Sequence, residues 1–195
     1  MDPSPALRET PLVMSWATFW VAYGPSQGKL GRVMLTATAA QMDSFIQLAP
    51  GRWRTPKGMT LTLAGYINAY GLAKYPNTFG GVVVSDGGAH IMVYLTALKS
   101  DIEAEFDALA PIGTLSFVVT PHSQKYLEVL RNRVLREAPS LRAKGIDIVH
   151  FGPNVRTGML TIGVKNLTSR DVAVLNATFG ADNICISEGS EVIGT

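Results

Sequence analysis

The chain of 195 residues contains one cysteine, Cys185. A single thiol excludes an intrachain disulfide framework and any metal site that needs several cysteine ligands. It sits in the alternating run Asn183-Ile184-Cys185-Ile186, where a small buried hydrophobe is the expectation rather than a nucleophile. Histidine is scarce as well. His90, His122 and His150 stand far apart, with no H-x-x-x-H pair to bring two imidazoles onto one helical face. Long apolar runs are missing: residues 11–23 (PLVMSWATFWVAY) fall short of the roughly 20 residues that span a bilayer. The same run makes a poor secretion signal, because Arg8 is followed by Glu9 and the weak cleavage candidate, Thr36-Ala37-Thr38-Ala39-Ala40, lies further on. Charge of one sign is not in excess either. Seventeen Lys and Arg against fifteen Asp and Glu leave a net charge of +2, too mild for a nucleic-acid partner.

What is present is a globular composition, 47% hydrophobic and 16% charged, enough for one compact domain or two small ones. Residues 79–96 read FGGVVVSDGGAHIMVYLT, and about seventy residues later the chain reads FGPNVRTGMLTIGVK. In the first copy two β-rich runs flank Asp86-Gly87-Gly88, which is hairpin chemistry because glycine accepts positive φ. Ser100-Asp101-Ile102-Glu103 then has the form of a capping box, with Ile102, Phe106 and Leu109 at helical spacing. Pro111 and Gly113 close that helix, and Leu115, Phe117 and Val119 alternate as in a strand. The second copy repeats the order: a strand over residues 146–151, a turn through Pro153 to Gly158, then Leu160, Ile162 and Val164 alternating. Thr168 is the expected N-cap with Asp171 three residues on, Val172, Leu175 and Phe179 form the stripe, and Ile184 and Ile186 close with a strand.

Between the copies, residues 123–136 predict a helix with Tyr126, Leu127, Leu130, Val134 and Leu135 on one face, shared by both units. Lys125, Arg131, Arg133 and Arg136 give it a charged face, which solvation alone explains. Residues 1–75 form a less defined N-terminal segment, with a helix expected over 61–73 despite Gly65 and Gly71. Residues 76–188 form the repeated domain and 189–195 a tail. The fold class expected is α+β, two strand-strand-helix-strand units with small antiparallel or mixed sheets joined by an amphipathic helix. Buried positions should include Val93, Leu95, Phe106, Leu115, Phe117, Leu130, Ile148, Ile162, Val164, Leu175, Phe179 and Ile184.

Three motifs invite chemistry. Gly24-Pro25-Ser26-Gln27-Gly28 matches the G-x-S-x-G nucleophile elbow, but too little chain precedes it to build the supporting sheet, so a serine hydrolase using Ser26 is a remote alternative. The same stretch fails as a phosphate-binding loop, with three residues between its glycines instead of four and Leu30 after Lys29. His122 beside Ser123 reads as helix capping rather than as a catalytic pair, since neighbours in sequence do not face each other productively.

With those residues in view, the stretch from Phe79 to about Glu188 resembles the pro-region of the alpha-lytic protease and streptogrisin group of bacterial secreted serine proteases. The points of similarity are FGGVVVSDGGAHIMVYLT, VVTPHSQKYLEVL and GIDIVHFGPNVRTGMLTIGV. The resemblance implies an α+β module of two small sheets and helices, with no catalytic residues, no metal and no cofactor. It implies a protein partner, a trypsin-like serine protease whose folding the module assists or whose active site it blocks. The tail residues Glu191, Val192, Ile193, Gly194 and Thr195 would make the contact, and the location would be extracellular or the cell envelope. No Gly-Asp-Ser-Gly-Gly segment of a protease domain occurs in the chain. A stand-alone extracellular binding or adaptor domain with an unrelated partner is the main alternative.

Overall fold

The computed structural model describes residues 17–21, 33–37, 46–49, 52–54, 60–85 and 90–189. Within them the N-terminal part is made of short antiparallel pieces. β1 (Ala17–Val21) pairs with β2 (Val33–Ala37), and β3 (Ile46–Ala49), β4 (Arg52–Arg54) and β5 (Thr60–Thr62) make a three-stranded sheet. Thr62 then caps helix α1 (Leu63–Lys74), its hydroxyl accepting from the Gly65 N–H at 3.3 Å.

Two units of strand, strand, helix and strand follow, and the fold is α+β. The first comprises β6 (Phe79–Ser85), β7 (His90–Leu95), α2 (Ser100–Asp107) and β8 (Leu115–Val119). The second comprises β9 (Ile148–Asn154), β10 (Met159–Val164), α4 (Ser169–Phe179) and β11 (Ile184–Glu188). Each element of the second starts 69 residues after its counterpart, from Phe79 to Ile148, His90 to Met159, Ser100 to Ser169 and Leu115 to Ile184. The helices leading into them end at the same offset, α1 at Lys74 and α3 (Gln124–Ala143) at Ala143.

Backbone pairing repeats with the elements. In each sheet the middle strand pairs antiparallel with the first strand of its unit and parallel with the last, in the orders β6-β7-β8 and β9-β10-β11. The Ile91 N–H donates to the Thr114 carbonyl and the Leu160 N–H to that of Asn183; at the far ends Thr120 donates to Leu95 and Gly189 to Val164, all at 2.9 Å. Both hairpins even bulge at the same place, between Phe79 and Gly81 opposite Leu95 and at the matching Ile148 and His150 opposite Val164. The two Phe-Gly pairs visible in the letters are therefore not equivalent. Phe79 corresponds to Ile148, three residues before Phe151, because the repeat preserves hydrogen-bond register rather than spelling.

Each unit has its own core. Trp53, Leu61, Ile67, Leu72, Phe79, Val93, Leu95, Ile102 and Phe106 pack together in the first, so the core reaches back into the N-terminal segment. Leu127, Leu130, Val134, Leu141, Leu160, Ile162, Val164, Leu175, Phe179 and Ile184 pack together in the second. Gly71 is required by the first: a Cβ there would lie 2.3 Å from the Phe79 ring, so α1 approaches β6 only through a glycine.

Several expectations need correction. Ser100 does not cap α2. Lys99 takes the extended cap geometry and accepts the first helical bond from Glu103 at 2.9 Å, which makes Ser100 the first helical residue. Thr168, at the matching place in the second unit, does cap, and Asp171 completes the box. Helix α3 runs past Arg136 and through Pro139 to Ala143, held at that end by buried Leu141. It belongs to the second core rather than to both. Leu127, Leu130 and Val134 are its stripe, while Tyr126 and Leu135 turn outward. β9 begins at Ile148 instead of residue 146 and includes Pro153, tolerable because β9 is an edge strand. Of the predicted core, Leu115, Phe117 and Ile148 are half-buried and the other nine are buried. Cys185 is exposed: Ile184 and Ile186 lean to the core side of β11, so the residue between them faces away.

The matched positions Phe106 and Leu175, both fully buried, offer a direct test of the shared core design. Phe106→Ala should destabilise the protein by about 3–5 kcal/mol and Leu175→Ala by about 2–5 kcal/mol. Urea unfolding followed by circular dichroism measures both, and a loss below 1 kcal/mol at either would contradict the packing described.

Candidate interaction surface

Ser26 and the tail residues Glu191, Val192, Ile193, Gly194 and Thr195 lie outside the described residues. The three histidines stay separate. Ser123 caps α3, accepting from the Tyr126 N–H at 3.2 Å, and His122 stacks on the Tyr126 ring at 4.5 Å while its Nε2 lies 3.3 Å from the Asp182 carbonyl. His150 lies over Gly163, where a Cβ would come within 2.0 Å of its ring.

His90 has a partner that sequence reading missed. Its Nε2 is 3.0 Å from the Ser116 Oγ, on the side of the sheet away from the core. The strand pairing brings them together: β7 and β8 run in parallel with Met92 beside Ser116, and alternation sets His90, Met92 and Ser116 on one face. Recognising β7 and β8 as a parallel pair would have found it. Among the described residues no carboxylate bonds the other ring nitrogen, and no group of three His, Cys, Asp or Glu side chains is placed to hold a metal ion. No helix among them is long and apolar enough to cross a membrane.

The two units meet through close backbone contacts. Val155, in the β9–β10 turn, packs on Gly81, where a Cβ would stand 2.9 Å from its methyl groups. Gly158 fits against Thr120 and Pro121 with φ of +63°. Lys125 reaches across to Asn77 at 3.1 Å, while within the second unit Tyr126 donates to Asn183 at 3.1 Å. Beside this junction lies an open groove of about 510 Å³. Val82 and Val83 of β6 form one wall, Phe151, Pro153 and Val155 supply further apolar surface, and His150 and Arg156 add polar groups. An apolar groove beside edge strands suits an extended polypeptide better than a compact small molecule. Its residues are strand edges and a turn, which carry no periodic signal in sequence.

No known protein-family model and no curated protein matches the chain.

Away from the groove, α1 and α2 are fastened by a shared carboxylate. Tyr70 and Tyr75 both donate to Glu105 Oε2, at 2.8 and 2.5 Å. The two hydroxyls, Tyr75 first, hold the Glu105 carboxyl below its usual range. Tyr75 is pushed up to about 12, by burial and then by its bond to Glu105; Tyr70 is raised for the same reasons in the same order. The signs follow from linkage. Glu105 contributes stability above its unfolded value that is lost as pH falls through the lowered folded one. Tyr75 contributes stability below pH 10.0 that is lost as pH rises toward about 12. Glu105→Gln should flatten the acid limb of the melting-temperature profile and bring Tyr75 ionisation, followed by ultraviolet absorbance, back toward 10.0. An unchanged tyrosine titration would contradict the fastening.

Proposed function

We propose that the chain is a non-catalytic, pro-region-like module that binds a trypsin-like serine protease, assisting its folding, blocking its active site, or both. The observation that carries this reading is the architecture of residues 79–188: two of the small three-stranded sheets, with helices, the arrangement that the resemblance of this stretch to secreted-protease pro-regions implies. A helper of this kind acts through shape. It lowers a folding barrier by binding the transition state more tightly than the unfolded chain. The start of the tail also suits the role. Gly189, where the tail begins, is buried and bonded to Val164, with Val149 and Gly163 packed against it.

On this reading Glu191 to Thr195 lie extended along the protease, pairing backbone to backbone while Val192 or Ile193 fills an apolar subsite. The groove beside the junction favours a second reading, a stand-alone binding domain whose partner inserts an extended apolar segment between β6 and β9.

Deleting residues 190–195 separates the two. A trypsin-like protease from the same source should be inhibited by the full chain. The shortened chain should dissociate at least tenfold faster, with its melting temperature unchanged. No inhibition by the full chain, together with binding to another secreted protein that is lost in Val83→Asp, would replace the first reading with the second.

A further inference from the structure

β8 is the outer strand of its sheet, and among the described residues no strand lies on its free side. Its pairing with β7 dictates what that side presents. Thr114 accepts from Ile91 at one end and Thr120 donates to Leu95 at the other, and a parallel ladder alternates. Ser116 and Val118 therefore bond inward as well, and the N–H and C=O groups of Leu115, Phe117 and Val119 point out. Natural sheets guard such edges with charge, proline or a bulge. The sequence Leu-Ser-Phe-Val-Val has none of these. It adds apolar surface instead: Val119 is 61% exposed, and Ile112, just before the strand, is fully exposed.

The internal repeat supplies a comparison within the molecule. β11 is the counterpart of β8, in the same parallel register on the same kind of middle strand. Where β8 has Val119, β11 has the exposed carboxylate of Glu188. One copy of the edge is guarded and the other is open.

We propose that the open β8 edge is a self-association surface, at which two copies of this chain pair antiparallel about a two-fold axis beside Phe117. The outward residues 115, 117 and 119 are symmetric about Phe117, so the edge complements itself. Phe117 faces Phe117 of the second copy, and Leu115 faces Val119. Every pair is then of the hydrogen-bonded kind, giving about six new backbone bonds and one continuous six-stranded sheet. The contact is closed, since pairing consumes the edge on both copies and gives a dimer rather than a fibre. Five-residue strands bury less than the roughly 1,200 Å² of a stable interface, so the dimer is weak, with a dissociation constant of about 10 µM to 1 mM. The proposal is independent of the protease reading.

Sedimentation equilibrium of the full chain up to about 2 mM, beyond that range, should show a reversible monomer–dimer equilibrium. Val119→Glu, which copies the guarded edge into the open one, should weaken it at least tenfold with circular dichroism and melting temperature unchanged. The register has its own test in a Cys185→Ser background. Chains carrying Ser116→Cys and chains carrying Val118→Cys should cross-link on oxidation when mixed, because these positions become a non-hydrogen-bonded pair with Cα atoms about 4.5 Å apart. Neither chain should cross-link alone. A monomer at every concentration would overturn the proposal. So would a folded Val119→Glu chain that dimerises as well as the parent, or cross-linking of either cysteine chain with itself while no cross-link between the two chains forms in the mixture.

Discussion

The constraint on which the molecule depends is the parallel pairing of β7 with β8 and of β10 with β11. Parallel neighbours cannot be joined by a tight turn; the chain must cross from the end of one strand to the start of the next. α2 and α4 make those crossings, and covering one sheet face is what gives each of them a core. Ile102 and Phe106 do so in the first unit, Leu175 and Phe179 in the second. Each unit also adds buried residues from the helix that leads into it, Ile67 and Leu72 of α1 or Leu130, Val134 and Leu141 of α3. Both helices of a unit contribute to one core, which leaves the opposite sheet face and the strand edges for other purposes.

Much of this was legible because it rests on period. Val93 and Leu95, or Leu160, Ile162 and Val164, alternate in sequence on the strand face that packs into the core. The stripe Leu127, Leu130, Val134 marks α3 equally well. What escaped was decided by neighbours distant in sequence or by single backbone bonds. Tyr126 and Leu135 look like core residues until the register of α3 on its sheet is known. The start of α2 turns on which carbonyl takes the first helical bond, and Lys99 does so with a side chain unable to cap, whereas Thr168 at the matching place caps in the usual way. The cross-strand contact of His90 with Ser116 follows from strand order, which letters do not state. Of the candidate surfaces, the groove had no signal at all, since Pro153, Val155 and Arg156 read as ordinary turn residues.

The two units keep their hydrogen-bond frame and their core while differing where the frame faces outward. Tyr94 and Gly163 occupy one position: the tyrosine is buried, whereas the glycine leaves space that the His150 ring fills. On the edge strands, Val119 of β8 stands against Glu188 of β11. A packed core is sensitive to a single methylene, so divergence there is restrained. An outward face or an edge tolerates change, and what accumulates on it is set by what it must contact or avoid. The contrast between a valine edge and a glutamate edge on the same frame therefore locates a difference in contact rather than in folding. Shape is what the duplication repeats, and surface chemistry is where its two halves are free to acquire different work.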